Sequence, residues 1–158
     1  MAPWIRSRIS GKEKGAVSKR NAKEYLMRVT YQKYALEQIA ADILEAENDA
    51  YGLSSVPISE RVQTSHSPEW MMSAAVGEVN RLKALYEKEA EKYIDIKREV
   101  KEAVRVLPNR QQAYILEMRY CRCMRLSDIA NMIKKKEGYV RRMHGEALDS
   151  FRKIHNMD

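Results

Sequence analysis

The feature that most constrains the fold is a long apolar stripe between residues 69 and 107. Apolar or aromatic residues recur there at alternating steps of three and four, which is the spacing of a helix that supercoils with a partner. Ten of the eleven positions from Met72 to Leu107 fit, and the exception is Glu89. Because one helix alone leaves such a stripe in contact with water, the pattern predicts a coiled-coil helix over residues 69–106 that needs a helical partner.

An earlier stretch of the chain can supply that partner. Residues 21–50 contain no Gly or Pro and place Leu26, Val29 and Leu36 on one helical stripe, with Gly52 as the predicted stop. Residues 51–68 hold two Pro, one Gly and six Ser or Thr, which predicts a loop. The two helices can therefore form an antiparallel hairpin, or the long helix can pair with its copy in a second subunit. The sequence allows both.

The C-terminal third has the pattern of a helix-turn-helix. Pro108 ends the coiled coil, and helices are predicted over residues 109–121, 127–134 and 137–153, with Ser127 as an N-cap. Two of these helices flank a three-lysine turn. We therefore predict an all-α fold, in which a long antiparallel coiled-coil helical hairpin (residues 21–106, with the loop 51–68) precedes a helix-turn-helix domain (residues 107–158). Five inward positions define the last helix: Val140, Met143, Ala147, Leu148 and Phe151.

The distribution of charge along the chain indicates a role for this domain. Residues 105–158 carry twelve Lys or Arg against six Asp or Glu, whereas residues 21–104 carry eleven against fifteen. A basic helix-turn-helix suits the phosphates and base edges of a major groove. Lysines of the turn are expected on phosphates, Arg141 and Arg142 on guanine, and Glu137 on cytosine N4. The predicted DNA-binding set is Arg125, Ser127, Lys134, Lys135, Lys136, Glu137, Tyr139, Arg141, Arg142 and His144.

The first twenty residues form a basic N-terminal segment, with six Lys or Arg and one Glu. Their composition shows no sustained period and is typical of a disordered tail. The same charge also suits a basic arm that contacts phosphates or enters a minor groove.

Several short segments resemble region 4 of the bacterial sigma-70 family: residues 107–108 (LP), 115–120 (ILEMRY), 126–130 (LSDIA), 140–142 (VRR) and 147–148 (AL). Residues 139–148 (YVRRMHGEAL) make the chain similar to sigma-region-4-like regulators of phages and prophages of low-GC Gram-positive bacteria. That family includes late-gene and autolysin-type regulators. A second matching segment, in the loop, is Arg61, Val62, Gln63, Thr64 and Ser65.

The resemblance implies a sequence-specific transcription regulator, an activator, in the cytoplasm of a bacterial host cell. It implies promoter DNA as the partner, contact with host RNA polymerase, and a partner-binding role for the loop segment from Arg61 to Ser65. Two departures stand out: Lys134-Lys135 replaces the usual Gly-aliphatic turn, and nothing resembles sigma region 2, so a complete sigma factor is not expected.

Other classes of function fit less well. A small terminase-like DNA-packaging component and a coiled-coil scaffold protein are the alternatives, because both combine coiled-coil helices with a basic surface. An enzyme is not expected, since the sequence has no phosphate-binding glycine loop or nucleophile–base pair. No cofactor or metal is expected either: Cys121 and Cys123 match no zinc spacing and are predicted to be free thiols. No apolar run is long enough to span a membrane, and no signal peptide is recognisable.

Overall fold

The computed structural model describes residues 21–55 and 68–157, and these residues form helices and turns without any strand. This confirms the all-α class for that part of the chain. Residues 1–20, and the segment Arg61, Val62, Gln63, Thr64 and Ser65, lie outside the described residues. The helices are α1 (Ala22–Ser55), α2 (Pro68–Arg105), α3 (Arg110–Leu116), α4 (Leu126–Met132) and α5 (Glu137–His155), and α3 continues as a π-helical turn over Glu117–Cys121.

The prediction that α1 stops at Gly52 was wrong. A glycine ends a helix when it adopts left-handed geometry, and no described glycine has a positive φ. Gly52 stays helical and α1 continues to Ser55. The predicted loop 51–68 is also too long at its other end, because Pro68 begins α2, where the first helical position tolerates proline. Only residues 56–67 separate the two helices.

The structure divides into two compact units, residues 1–31 with 95–158 and residues 32–94, here named the terminal unit and the middle unit. The described part of the terminal unit contains the start of α1, the end of α2 and all of α3 to α5. It therefore extends beyond the predicted domain 107–158. In that unit, Tyr25 and Arg28 of α1 both donate hydrogen bonds to the Glu99 carboxylate of α2, at 2.8 and 3.2 Å.

The core of the terminal unit is built on one face of α5. Val140 and Met143 pack with Ile115, Ile129 and other buried residues of α3, α4 and the π turn. Further along the same helix, the Phe151 ring lies 6.0 Å from Tyr25 and 4.3 Å from His155. The α5 stripe was predicted correctly at four of its five positions, and the fifth, Leu148, is half-buried.

In the middle unit, α1 and α2 make contacts in antiparallel order. Gln32 donates a 2.6 Å hydrogen bond to Glu89, and Lys83 forms a 2.6 Å ion pair with Glu47. The one charged position of the α2 stripe therefore has a polar partner on α1. The hydrogen bonds from Lys92 and Gln32 lower the pKa of Glu89, so this carboxylate remains charged at neutral pH.

Burial along the α2 stripe is uneven. Val79 and Leu82 are buried in the middle unit, and Val100 and Leu107 are buried in the terminal unit. Met72 and Tyr86 occupy the same stripe but are each 37% exposed. The stripe predicted from the heptad pattern is therefore only partly covered within the described chain.

Leu26 and Leu44 provide a matched test of how α1 contributes to stability. Leu26 is 0% exposed in the terminal unit, so Leu26→Ala should lower the free energy of unfolding by about 2–5 kcal/mol. Leu44 is 60% exposed, and Leu44→Ala should change it by less than about 0.5 kcal/mol. Urea unfolding of the full chain measures both, and equal effects would contradict the assignment of Leu26 to the core.

Candidate nucleic-acid interface

The predicted DNA-binding residues lie on α4 and α5, at the N-cap of α4 and in the turn between the two helices, and three helices form the core behind them. Ile129 and Ala130 of α4 pack against Val140 and Met143 of α5, and α3 with the π turn adds Ile115 and Met118. All six side chains are buried, and Met124, Leu126, Ile133 and Tyr139 cover the edges of the cluster. Because the apolar faces of α4 and α5 meet here, the polar face of α5 is left toward solvent.

The turn between α4 and α5 is a Schellman motif. The Lys134 N–H donates to the Asn131 carbonyl at 3.2 Å, and the Lys135 N–H donates to the Ala130 carbonyl at 3.0 Å. Lys134 has φ 53°, the left-handed position that glycine usually occupies in this motif. A lysine therefore occupies the left-handed position despite the steric cost to a residue with a side chain. Only residues 133–136 separate the two helices.

The prediction of Ser127 as an N-cap was wrong. The N-cap of α4 is Arg125, in extended geometry and without a side-chain cap, and its carbonyl accepts from the N–H groups of Asp128 and Ile129. Ser127 is the second residue of the helix and is half-buried. The helix can begin without a capping hydroxyl because Leu126 packs on the core and Asp128 favours the positive end of the helix dipole.

Most of the predicted cations lie at the surface. Arg125, the three turn lysines and both arginines of α5 are exposed. The two arginines of α5 already have acidic neighbours: Arg141 donates to Glu137 at 2.6 Å, and Arg142 lies 3.8 Å from Glu146. Exposed pairs at this spacing contribute only roughly 0.3–0.5 kcal/mol, so little stability is lost if another acceptor, such as a guanine edge, replaces the carboxylate.

Tyr139 is less available than predicted. Its hydroxyl donates a 3.1 Å hydrogen bond to Gln111 of α3, and its ring packs against the edge of the buried cluster. The Arg142 guanidinium and the Lys135 ammonium lie 5.7 and 6.0 Å from the ring centroid, near the outer limit of a cation–π contact. Tyr139 therefore orients the first turn of α5 and its neighbouring cations.

His144 lies against Tyr120 of the π turn. A 3.1 Å hydrogen bond joins the Tyr120 hydroxyl and His144 Nε2, and the two rings stack at 5.7 Å. Burial, and secondarily the charges of Arg119 and Lys23, lower the pKa of His144, while burial raises the pKa of Tyr120. The imidazole is therefore neutral at physiological pH, and its Nε2 is already in a hydrogen bond within the protein.

Two supporting residues were missed from the sequence. Asn109 caps α3 by accepting from the N–H groups of Gln111 and Gln112, and its position just after Pro108 is a capping signal that could have been used. Arg119 donates a 2.9 Å hydrogen bond to the Met124 carbonyl and thereby supports the segment before α4. No sequence signal identifies this second contact.

Both cysteines are free thiols, as predicted. Burial raises the pKa of Cys121 to about 11, which keeps it a protonated, unreactive thiol. Cys123 has φ 55° and its sulfur lies 3.7 Å from Thr30 Oγ1. The Cys123 and Thr30 side chains therefore help to attach the segment that follows the π turn to α1.

No protein-family model, curated protein or solved structure is significantly similar to this chain. Among residues 21–55 and 68–157, no cluster of His, Cys, Asp and Glu is suited to hold a metal ion. None of the helices in these ranges is long and apolar enough to cross a membrane.

Replacing the left-handed lysine should stabilise the turn. Left-handed geometry costs an L-residue roughly 1–2 kcal/mol, and a glycine at this position removes that cost. The greater freedom of glycine in the unfolded chain reduces the resulting gain in stability by about 0.5–1 kcal/mol. We expect Lys134→Gly to raise the free energy of unfolding by about 0.5–1 kcal/mol. Lys135→Gly is the control, because Lys135 has no positive φ, and it should destabilise. Urea unfolding that ranks the variants in the opposite order would contradict this geometry of the turn.

The buried imidazole predicts a dependence of stability on pH. Since the pKa of His144 is lower in the folded protein than the ordinary 6.5, the unfolded chain binds more protons between these two pKa values. The contribution of neutral His144 to the free energy of unfolding is complete above pH 6.5, and it is lost as the pH falls through the pKa of His144 in the folded protein. We expect the difference in unfolding free energy between wild type and His144→Gln to shrink from pH 7.5 to 5.5. A constant difference would show that His144 does not titrate differently on folding.

Proposed function

We propose that this chain is a sequence-specific DNA-binding transcription regulator of phage or prophage genes that acts as an activator. The observation that carries the proposal is the α4–turn–α5 arrangement. A four-residue turn joins two packed helices, and the second of them exposes two arginines beside three exposed lysines. This is the helix order and charge distribution with which a helix-turn-helix enters a major groove.

The proposed contacts divide by chemistry. Lys134, Lys135 and Lys136 bind phosphates, since an ammonium is a point charge without the fork geometry that recognises a base. Arg141 and Arg142 contact guanine O6 and N7, and each bidentate contact provides roughly 1–3 kcal/mol of discrimination. Glu137 either leaves Arg141 and accepts a hydrogen bond from cytosine N4, or keeps its hydrogen bond to Arg141 and orients that arginine beside the base.

Other predicted residues have supporting roles in this proposal. Tyr139 and His144 position α5 through Gln111 and Tyr120, and Ser127 lies in the first turn of α4. Arg125, at the N-cap of α4, is exposed and adds a phosphate contact.

The long helices serve as the partner-binding part of the regulator. We propose an antiparallel coiled-coil hairpin that joins a second subunit or host RNA polymerase. The support is the antiparallel order of the contacts between Gln32 and Glu89 and between Glu47 and Lys83, together with the partial exposure of Met72 and Tyr86. An incompletely covered heptad stripe is the surface that a further helix packs against.

Two double variants separate base recognition from phosphate binding. We expect wild-type protein to bind one DNA fragment from the region around its own gene far more tightly than the others. Arg141→Ala/Arg142→Ala should reduce that preference by roughly 2–6 kcal/mol in total, since two bidentate contacts are lost. Lys135→Ala/Lys136→Ala is the matched control and should weaken binding to all fragments alike. Titration at two salt concentrations measures both effects.

The alternatives give different results in this experiment. Equal binding to all fragments, with affinity that collapses in salt, would leave a phosphate-neutralising domain and favour DNA packaging. A ring rather than a dimer or monomer in solution would favour a small terminase-like component. Absence of salt-sensitive binding would favour a scaffold protein.

A further inference from the structure

A second stripe runs along α2 in the middle unit, one residue after the members of the first stripe. Its members recur at alternating steps of four and three residues, which is the spacing of a coiled-coil seam. They are Val76, Asn80, Lys83, Glu87, Ala90 and Ile94. None of the six is buried, and Val76 and Ile94 are 45% and 58% exposed. This stripe, here named the outer seam, is left uncovered by the described part of the chain.

The outer seam is complementary to its own reversed sequence. Counted inward from its two ends, its members form three pairs: Val76 with Ile94, Asn80 with Ala90, and Lys83 with Glu87. In two antiparallel copies of α2 centred on residue 85, these pairs become contacts, apolar with apolar at the ends and cation with anion at the centre. Parallel copies would instead place each charge beside its like, which is repulsive. An interface between one surface and its own copy requires this self-complementarity, whereas an unrelated partner does not.

Both central charges of the outer seam can bind a second copy. Glu87 is exposed and forms no hydrogen bond or ion pair with another residue of the described ranges. Lys83 pairs with Glu47 at 2.6 Å, and its ammonium group has three N–H donors, so it can also bind a second carboxylate. With one Lys and one Glu the outer seam is neutral, whereas residues 32–94 carry six Lys or Arg against eleven Asp or Glu. A second copy therefore meets no net repulsion along this stripe of an acidic unit.

Two members of the first stripe lie next to the outer seam and are also incompletely covered. Met72 and Tyr86, each 37% exposed, precede Val76 and Ala90 by four residues, so each pair lies side by side on the helix surface. A second helix on the outer seam would therefore cover Met72 and Tyr86 as well. Two middle units joined in this way form a bundle of four helices, with apolar side chains buried between the facing helices.

We propose that the middle unit pairs with the middle unit of a second copy of this chain, in antiparallel order along the outer seam and about a two-fold axis at residue 85. Two ion pairs between Lys83 and Glu87 then join the copies at the centre, and two contacts between Val76 and Ile94 close the ends. This inference rests on the proposed function, in which the long helices bind a partner, and it identifies that partner as a second copy.

Charge reversal at the two central positions tests the pairing. Copies of Glu87→Lys would place two cations together at each central pair, and copies of Lys83→Glu would place two carboxylates together. Each variant alone should therefore raise the dimer dissociation constant by about tenfold or more. An equal mixture of the two variants should form a heterodimer with nearly wild-type affinity, because both of its central pairs have opposite charges. Sedimentation equilibrium of the full chains without DNA measures each sample and the mixture.

Asp49→Lys is the matched control for Glu87→Lys. Both raise the formal net charge from +7 to +9, but exposed Asp49 lies two residues from Glu47 and therefore on the opposite side of α1 from the contact with Lys83. The control should dimerise as the wild type does. Circular dichroism checks the helical content of each variant, because Lys83→Glu also loses the ion pair with Glu47. If that variant fails to fold, the comparison of Glu87→Lys with Asp49→Lys still decides.

Four results would overturn the inference. A wild-type chain that remains monomeric leaves the outer seam to a different protein, and oligomers larger than a dimer exclude a single two-fold interface. Equal dimerisation of Glu87→Lys and the wild type places the outer seam outside the interface. Folded variants that form no heterodimer when mixed exclude the antiparallel order.

These outcomes are distinct from failure of the proposed function, because the association is measured without DNA. A chain that dimerises through the outer seam but binds all DNA fragments alike fails as a sequence-specific regulator, while the inference stands. A monomeric chain that still prefers one fragment retains the proposed DNA-binding function and loses only the second copy.

Discussion

Burial of the apolar face of α5 is the constraint on which the terminal unit depends. Val140 and Met143 pack with α3 and α4, whereas Phe151 packs with α1, and His155 forms a 3.0 Å hydrogen bond with the Ala103 carbonyl of α2. Every element of the unit thus meets one helix. Because each end of α5 is fixed by different partners, its exposed face is held at a defined angle, which is what a helix needs if it is to enter a groove in one orientation.

The polar side chains of that face differ in how many hydrogen bonds they already form within the protein. His144 and Tyr139 form hydrogen bonds with Tyr120 and Gln111 and lie partly buried, so moving them away would leave polar groups without partners. Among the described residues, Arg141 pairs with Glu137, one turn away on the same exposed surface. The inner groups therefore provide rigidity, whereas the outer pair is held by an exposed ion pair that costs little to break.

Local sequence patterns predicted much of this fold, but they could not predict which residues far apart in the sequence are in contact. The heptad spacing located α2 to within a residue at each end, and the 3.6-residue period placed Val140, Met143, Ala147 and Phe151 in the core. Errors arose where one residue type has two uses: Gly52 continues a helix that it could have ended, and Ser127 lies inside a helix that it could have capped. The Tyr120–His144 and Tyr25–Phe151 contacts join residues 24 and 126 positions apart, and periodicity contains no information about such pairs.

The π-helical turn Glu117–Cys121 has a consequence for how this sequence can change. Its bond from the Arg122 N–H to the Glu117 carbonyl, at 3.2 Å, spans five residues where an α-helix spans four, so the turn holds one residue more than the regular helix would. A one-residue deletion there would return the segment to regular α-helical geometry, in which four residues span the turn that five span now. The deletion would therefore be absorbed within the turn and would mainly shift Tyr120 and Cys121, which are buried there. The length of this segment is thus tied to the placement of these two buried side chains rather than to the orientation of α3.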